Sequence, residues 1–137
     1  MRSPTELRLV RGVTPAIYKA VQPYITALPR STLINIQTAM EPVLMTLSPD
    51  FSREAAKTVQ ISRKQTPLVT TEAFANLDVV KNRNIDKNKV TVVSNYFLVE
   101  TTVSIEKQQV VIYTLLRRIP KERKAEMKLL WSGIGVW

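Results

Sequence analysis

The 137 residues contain no histidine and no cysteine. Without histidine the chain lacks the one side chain whose ordinary pKa lies in the physiological range, and so the commonest general base. Without cysteine it has no thiol nucleophile, no disulfide and no zinc site built on nitrogen and sulfur ligands. Apolar runs are also short. None approaches the roughly 20 residues that cross a bilayer, and no cleavable signal is visible at Met1. The chain is expected to be soluble, with any anchor lying outside it. There are no internal repeats and no low-complexity tracts.

Apolar residues make up 45% of the sequence. That is enough for a packed core and argues against wholesale disorder. The length fits one domain, or a helical subdomain plus a small sheet. The net charge is +9, which suits an anionic partner, either nucleic acid or an acidic protein face. The cations are scattered, with mild clusters at Arg63-Lys64, from Lys81 to Lys89 and from Arg117 to Lys128. None of these clusters interleaves with aromatics at a stacking spacing. A solvated basic surface accounts for this pattern as well as a binding surface does.

Residues 1–78 predict a helical subdomain made of short helices. Thr5 is positioned to cap a first helix toward Val10, and Gly12 to stop it. Thr14 caps a second, with Pro15 at its first position and Ile17, Tyr18 and Val21 on its apolar face. Leu33 to Ile36 alternates like extended chain. Thr38 and Glu41 have the capping-box spacing for a helix carrying Pro42, Val43, Leu44 and Leu47. Ser52 begins a longer helix to about Lys64, with Ala55, Ala56, Val59 and Ile61 inward. Thr66-Pro67 breaks it, and Thr71 caps a last turn with Phe74 and Leu77.

Residues 79–89 are polar, rich in Asn and Lys, and read as a linker. From Val90 the composition shifts to Val, Thr, Tyr, Phe and Ile, which suit a pleated surface. Strands are expected over 90–105, 110–119 and 127–131, separated by a polar turn at 106–109 and a charged loop after Pro120. The sheet domain is thus expected over 90–137, as an antiparallel meander, and the fold class is α+β.

Three phrases in fixed order carry a resemblance. Glu6-Leu7-Arg8-Leu9-Val10 is followed by Pro23-Tyr24-Ile25-Thr26-Ala27-Leu28-Pro29, and then by Ile34-Asn35-Ile36-Gln37-Thr38-Ala39. Val93-Ser94-Asn95-Tyr96-Phe97 and Leu115-Leu116-Arg117-Arg118 follow in register. The chain resembles the C-terminal part of general secretion pathway protein K, a minor pseudopilin of the type II secretion system. Gln37 and Asn95 depart modestly from the family's preferred residues.

The resemblance implies a SAM-like or helix-hairpin-helix-like helical subdomain, the second part of the family's inserted α-domain, followed by a pilin-like sheet. It implies a structural subunit at the pseudopilus tip for protein export, with the minor pseudopilins I and J as partners. The expected location is the periplasmic side of the Gram-negative inner membrane, with anchoring through a helix outside this chain. Calcium binding in the family is implied through residues not present here, so no cofactor is expected. Glu72, Asp78 and Asp86 lack the tight alternate spacing of calcium loops and read as surface residues.

Two other functions compete. Residues 34–77, with Asn35, Thr38, Arg53 and Arg63, have the rhythm of a helix-hairpin-helix unit that binds nucleic acid, and helix N-termini can take phosphate. The turn at Ser48-Pro49-Asp50 lacks the glycine that would open its amides, so no nucleic-acid binding is expected. An enzyme needs a nucleophile paired with a base, and neither Ser94 nor Tyr96 has one in view; no catalytic or metal-binding residue is assigned. Asn35 is expected to brace its own turn, and the Thr38 hydroxyl to accept the Glu41 N–H. Tyr96, Phe97, Leu98, Val99 and Trp137 are the candidate partner-facing residues. Strand alternation sends Tyr96 and Phe97 to opposite faces, one for core and one for interface.

Overall fold

The computed structural model describes residues 3–122 and 124–135. These form two compact units, one ending at Val93 and the other beginning at Ser94. Trp137 lies outside the described residues. Among those described, no helix is long and apolar enough to cross a membrane.

The first unit opens with a 3-10 helix, Pro4–Leu9. Its cap is Ser3, two residues before the expected Thr5: the Ser3 hydroxyl accepts from the Thr5 N–H and the Glu6 carboxylate takes the Ser3 N–H. Pro4 sits inside the first turn, where its missing donor leaves nothing unpaired. The chain then passes Gly12, whose φ of +90° suits glycine. Helix α1, Pro15–Val21, is capped by the Thr14 hydroxyl on the Ile17 N–H. Its inward residue is Tyr18, whereas Ile17, expected on the apolar face, is exposed.

Strand β1, Ile34–Asn35, precedes α2, Glu41–Met45, and α3, Arg53–Gln65. The expected capping box at Thr38 does not form. The cap of α2 is Met40, with no side-chain bond. The Thr38 N–H is instead held by the Asn35 carbonyl in the turn before the helix. Helix α3 starts on the Ser52 hydroxyl, which takes the Ala55 N–H. Ala55, Ala56 and Val59 are buried on one stripe of α3, but Ile61 faces out. Helix α4, Thr71–Ala75, is capped by Thr70, one residue before the expected Thr71.

One core holds this unit together. Ile36, Leu44, Phe51, Val59 and Phe74 are its best-buried side chains, and Val80 and Val90 belong to it. The segment 79–89 is therefore not a free linker. Its polar composition reflects an exposed outer side, while Val79, Val80 and Ile85 pack inward. Strand β2, Val90–Thr91, pairs in parallel with β1, with Ile34 opposite Val90 and Asn35 opposite Thr91. The unit boundary thus falls at 93–94 rather than at 90, because Val90 is used by the helical core.

The second unit is a three-stranded antiparallel sheet in the order β3-β4-β5. Strand β3 spans Tyr96–Ile105, β4 spans Gln108–Ile119 and β5 spans Glu126–Ile134. Glu106, at φ 52°, makes the tight turn between the first two. The β3–β4 register runs without interruption from Tyr96–Arg117 to Ile105–Gln108. The β4–β5 register carries a bulge at Leu115–Leu116.

Candidate functional site

The sheet has two chemically different faces. Directly paired residues share a face, so the register sorts every side chain. Phe97, Val99, Val103 and Ile105 of β3 lie on one face with Thr101. Opposite them on β4 stand Leu116, Thr114, Ile112 and Val110. Strand β5 adds Met127, Leu129, Ser132 and Ile134. The Thr114 and Ser132 hydroxyls meet at 3.1 Å, as same-face neighbours should. No acidic side chain stands among them. Ile112 and Leu116, in the central strand, are half-buried; the other apolar residues of this face are exposed, from 39% at Phe97 to 78% at Ile134.

The other face is mixed. It carries Tyr96, Leu98, Glu100, Tyr113, Leu115, Arg117 and Trp131. Leu115, in the central strand between Leu98 and Trp131, is the buried one. The Trp131 ring lies over Gly133, where an added Cβ would come within 2.5 Å of it. Loss of hydration, and then the Glu100 carboxylate, raise the Tyr113 phenol above its ordinary pKa. Two arginines stack at one end of the sheet, Arg117 over Tyr96 and Arg118 over Phe97, at 6.0 and 5.8 Å. The four described candidates therefore divide: Phe97 and Val99 join the apolar face, Tyr96 and Leu98 the mixed one. Sequence reading did not single out Val103, Ile105, Met127, Leu129 or Ile134; alternation along β3 was the signal for the first two, whereas on β5 the bulge shifts the alternation between Leu129 and Ser132.

Around 34–77 the residues of the phosphate-binding reading are engaged within the unit itself. The Asn35 carboxamide oxygen accepts the Gln37 N–H at 2.9 Å, bracing its own turn. Arg53 pairs with Glu41 at 2.9 Å. Arg63 points inward and donates to the Ile36 and Ala39 carbonyls at 2.7 and 2.9 Å. Lost hydration there pulls its pKa below the usual value. In the α2–α3 turn the Asp50 N–H is taken by the Ser48 hydroxyl and the Phe51 N–H by the Ser48 carbonyl. The amides a hairpin would offer to phosphate are already used.

The acidic residues do not converge either. Asp78 pairs with Lys81, the Asp86 carboxylate accepts the Asn88 N–H, and Glu72 sits by the Thr71 hydroxyl. Glu72 and Glu54 both titrate below the ordinary range, chiefly because each accepts its own backbone N–H in the first turn of a helix. Among the described residues no three acidic side chains group as a metal site.

The described residues thus form a small capped-helix unit and a three-stranded antiparallel sheet with one largely exposed apolar face. Two family models match, both described as type II secretion system protein K. One covers residues 1–30 and the other 34–94. The chain belongs to the type II secretion system protein K family. No curated protein matches the sequence. Among solved structures, a chain of the GspK-GspI-GspJ complex from the enterotoxigenic Escherichia coli type 2 secretion system shares the fold. Its TM-score is 0.75 and its identity 21%, covering 100% of this chain and 49% of that one. The protein thus spans about half the length of the solved chain it matches.

Proposed function

We propose that this chain is a C-terminal part of a minor pseudopilin, a structural subunit of the pseudopilus tip that assembles with minor pseudopilins I and J during protein export. Its place is the periplasmic side of the Gram-negative inner membrane. It works by surface complementarity and has no catalytic role. The observation that carries this reading is the uncovered apolar face of β3, β4 and β5 in a protein K family chain. An exposed apolar surface that is contiguous, rather than scattered, marks an interaction site. A face of alternating β-branched and large apolar side chains with no acidic group suits an apolar helix, as in pilin-like folds. Support for the partners comes from the solved complex, in which the matching chain is found with GspI and GspJ.

The test is co-purification of the full-length protein with minor pseudopilins I and J. Val99→Lys together with Leu129→Lys places two charges on the open face and is expected to abolish the ternary complex. Circular dichroism checks that the helical unit keeps its fold. A complex formed normally by that variant would exclude the sheet face as the assembly surface.

A further inference from the structure

Strands β3 and β5 are both edges, since the sheet order is β3-β4-β5. The two edges are built differently. On β5 the ladder is broken by the bulge at Leu115–Leu116, and the strand carries Glu126 and Lys128. Bulges and charged side chains keep an edge from accepting a further strand. Strand β3 has no such protection. Its 10 residues, Tyr96–Ile105, pair with β4 without interruption and include no proline, glycine or lysine. Its one charged residue is Glu100. Residues 97–105 are all exposed. Among the described residues only β4 pairs with this strand. Every second residue of β3 therefore turns its N–H and C=O outward, away from the ladder.

The order of residues along this edge fits a second copy of itself. Two β3 strands laid antiparallel and centred on Thr101 bring Phe97 opposite Ile105 of the other copy, Val99 opposite Val103, and Thr101 opposite Thr101. These pairs all fall on the apolar face. On the mixed face Leu98 meets Ser104 and Glu100 meets Thr102. Apolar and Thr–Thr pairs are favourable across strands, and like charges directly opposite are not. In this register residues 97–105 are used in full and no carboxylate faces another. Centring the pair on Glu100 instead would set the two carboxylates against each other. A shift of the pairing by one residue would join the apolar face of one copy to the mixed face of the other.

We propose that the free edge of β3 is a homodimer interface, paired antiparallel about Thr101. The two three-stranded sheets then become one continuous sheet, with both apolar faces on the same side. Such a contact is isologous and closes at two copies. The proposal is independent of the secretion reading, because it uses the strand edge and leaves the apolar face open.

The chain has no cysteine of its own, so single introduced cysteines report the register. Thr101→Cys places two sulfurs at the two-fold axis, where facing Cα atoms are about 4.5–5.5 Å apart and a disulfide closes. Val103→Cys places them four positions out of line, about 13 Å apart, which is too far. All these side chains are exposed, so the circular dichroism spectrum is expected to stay unchanged. On mild oxidation of concentrated protein, Thr101→Cys is expected to cross-link at least about tenfold faster than Val103→Cys. A mixture of Val99→Cys and Val103→Cys chains is expected to form the mixed dimer as readily as Thr101→Cys forms its own. Equal cross-linking at 101 and 103 would mean stacking of apolar faces without register, and overturns the proposal. So does the absence of cross-linking at Thr101→Cys.

Discussion

Arg63 holds two backbone carbonyls that would otherwise lack partners, those of Ile36 and Ala39. Replacing it with methionine keeps most of the apolar stem and removes both bonds. A charged donor lost from a partly buried carbonyl costs about 2 kcal/mol, and urea unfolding of the helical unit should show a loss of that size. Ser52 and Thr38 make a sharper contrast. Ser52→Ala removes a formed helix cap and should cost about 1 kcal/mol. Thr38→Ala, at a position that looks like a cap in sequence, should change stability by less than about 0.5 kcal/mol. A larger loss at Thr38 than at Ser52 would contradict the placement of the two side chains. The reason Thr38 misleads is local: Asn35, three residues earlier, already organises the turn through its side chain and its carbonyl, so the helix enters two residues too late for Thr38 to cap it.

At the scale of elements, helix starts were legible wherever a hydroxyl residue stood before an apolar stripe, as at Thr14 and Ser52. They slipped by one or two residues where two hydroxyl residues competed, as with Thr70 and Thr71 or Ser3 and Thr5. The strands were legible from β-branched density. The role of Val80 and Val90 was not, because each is a lone apolar residue in polar surroundings and only tertiary packing shows that it points inward. On β5 nothing in the residue pattern hints that Gly133 makes room for Trp131. Gly133→Ala should push the indole ring off its strand, destabilising the sheet by about 1–2 kcal/mol. In a Trp137→Phe background the fluorescence should shift to longer wavelength as Trp131 gains water. An unchanged spectrum would mean that the ring does not lie over the glycine.

At the scale of the whole molecule, the open apolar face decides behaviour in solution. With that face exposed, this chain by itself is expected to bind a hydrophobic dye and to self-associate as its concentration rises. The Val99→Lys, Leu129→Lys variant should lose most of the dye signal and stay monomeric in light scattering. A wild-type protein that remains a compact monomer without dye binding would show that this face is closed in solution.

The short parallel pairing of β1 with β2 has a different kind of consequence. Ile34 and Val90 are neighbours in space although 55 residues separate them along the chain, and every member of the main core lies between Ile36 and Val90. The stretch therefore enters and leaves at one point, like a bead clipped onto a thread. A module with adjoining ends can be spliced into a host without stretching it, and can be cut and rejoined elsewhere along its length. A circular permutant of residues 34–93, with its old ends bridged by a short Gly-Ser linker and new ends opened at Lys64-Gln65, should still fold cooperatively.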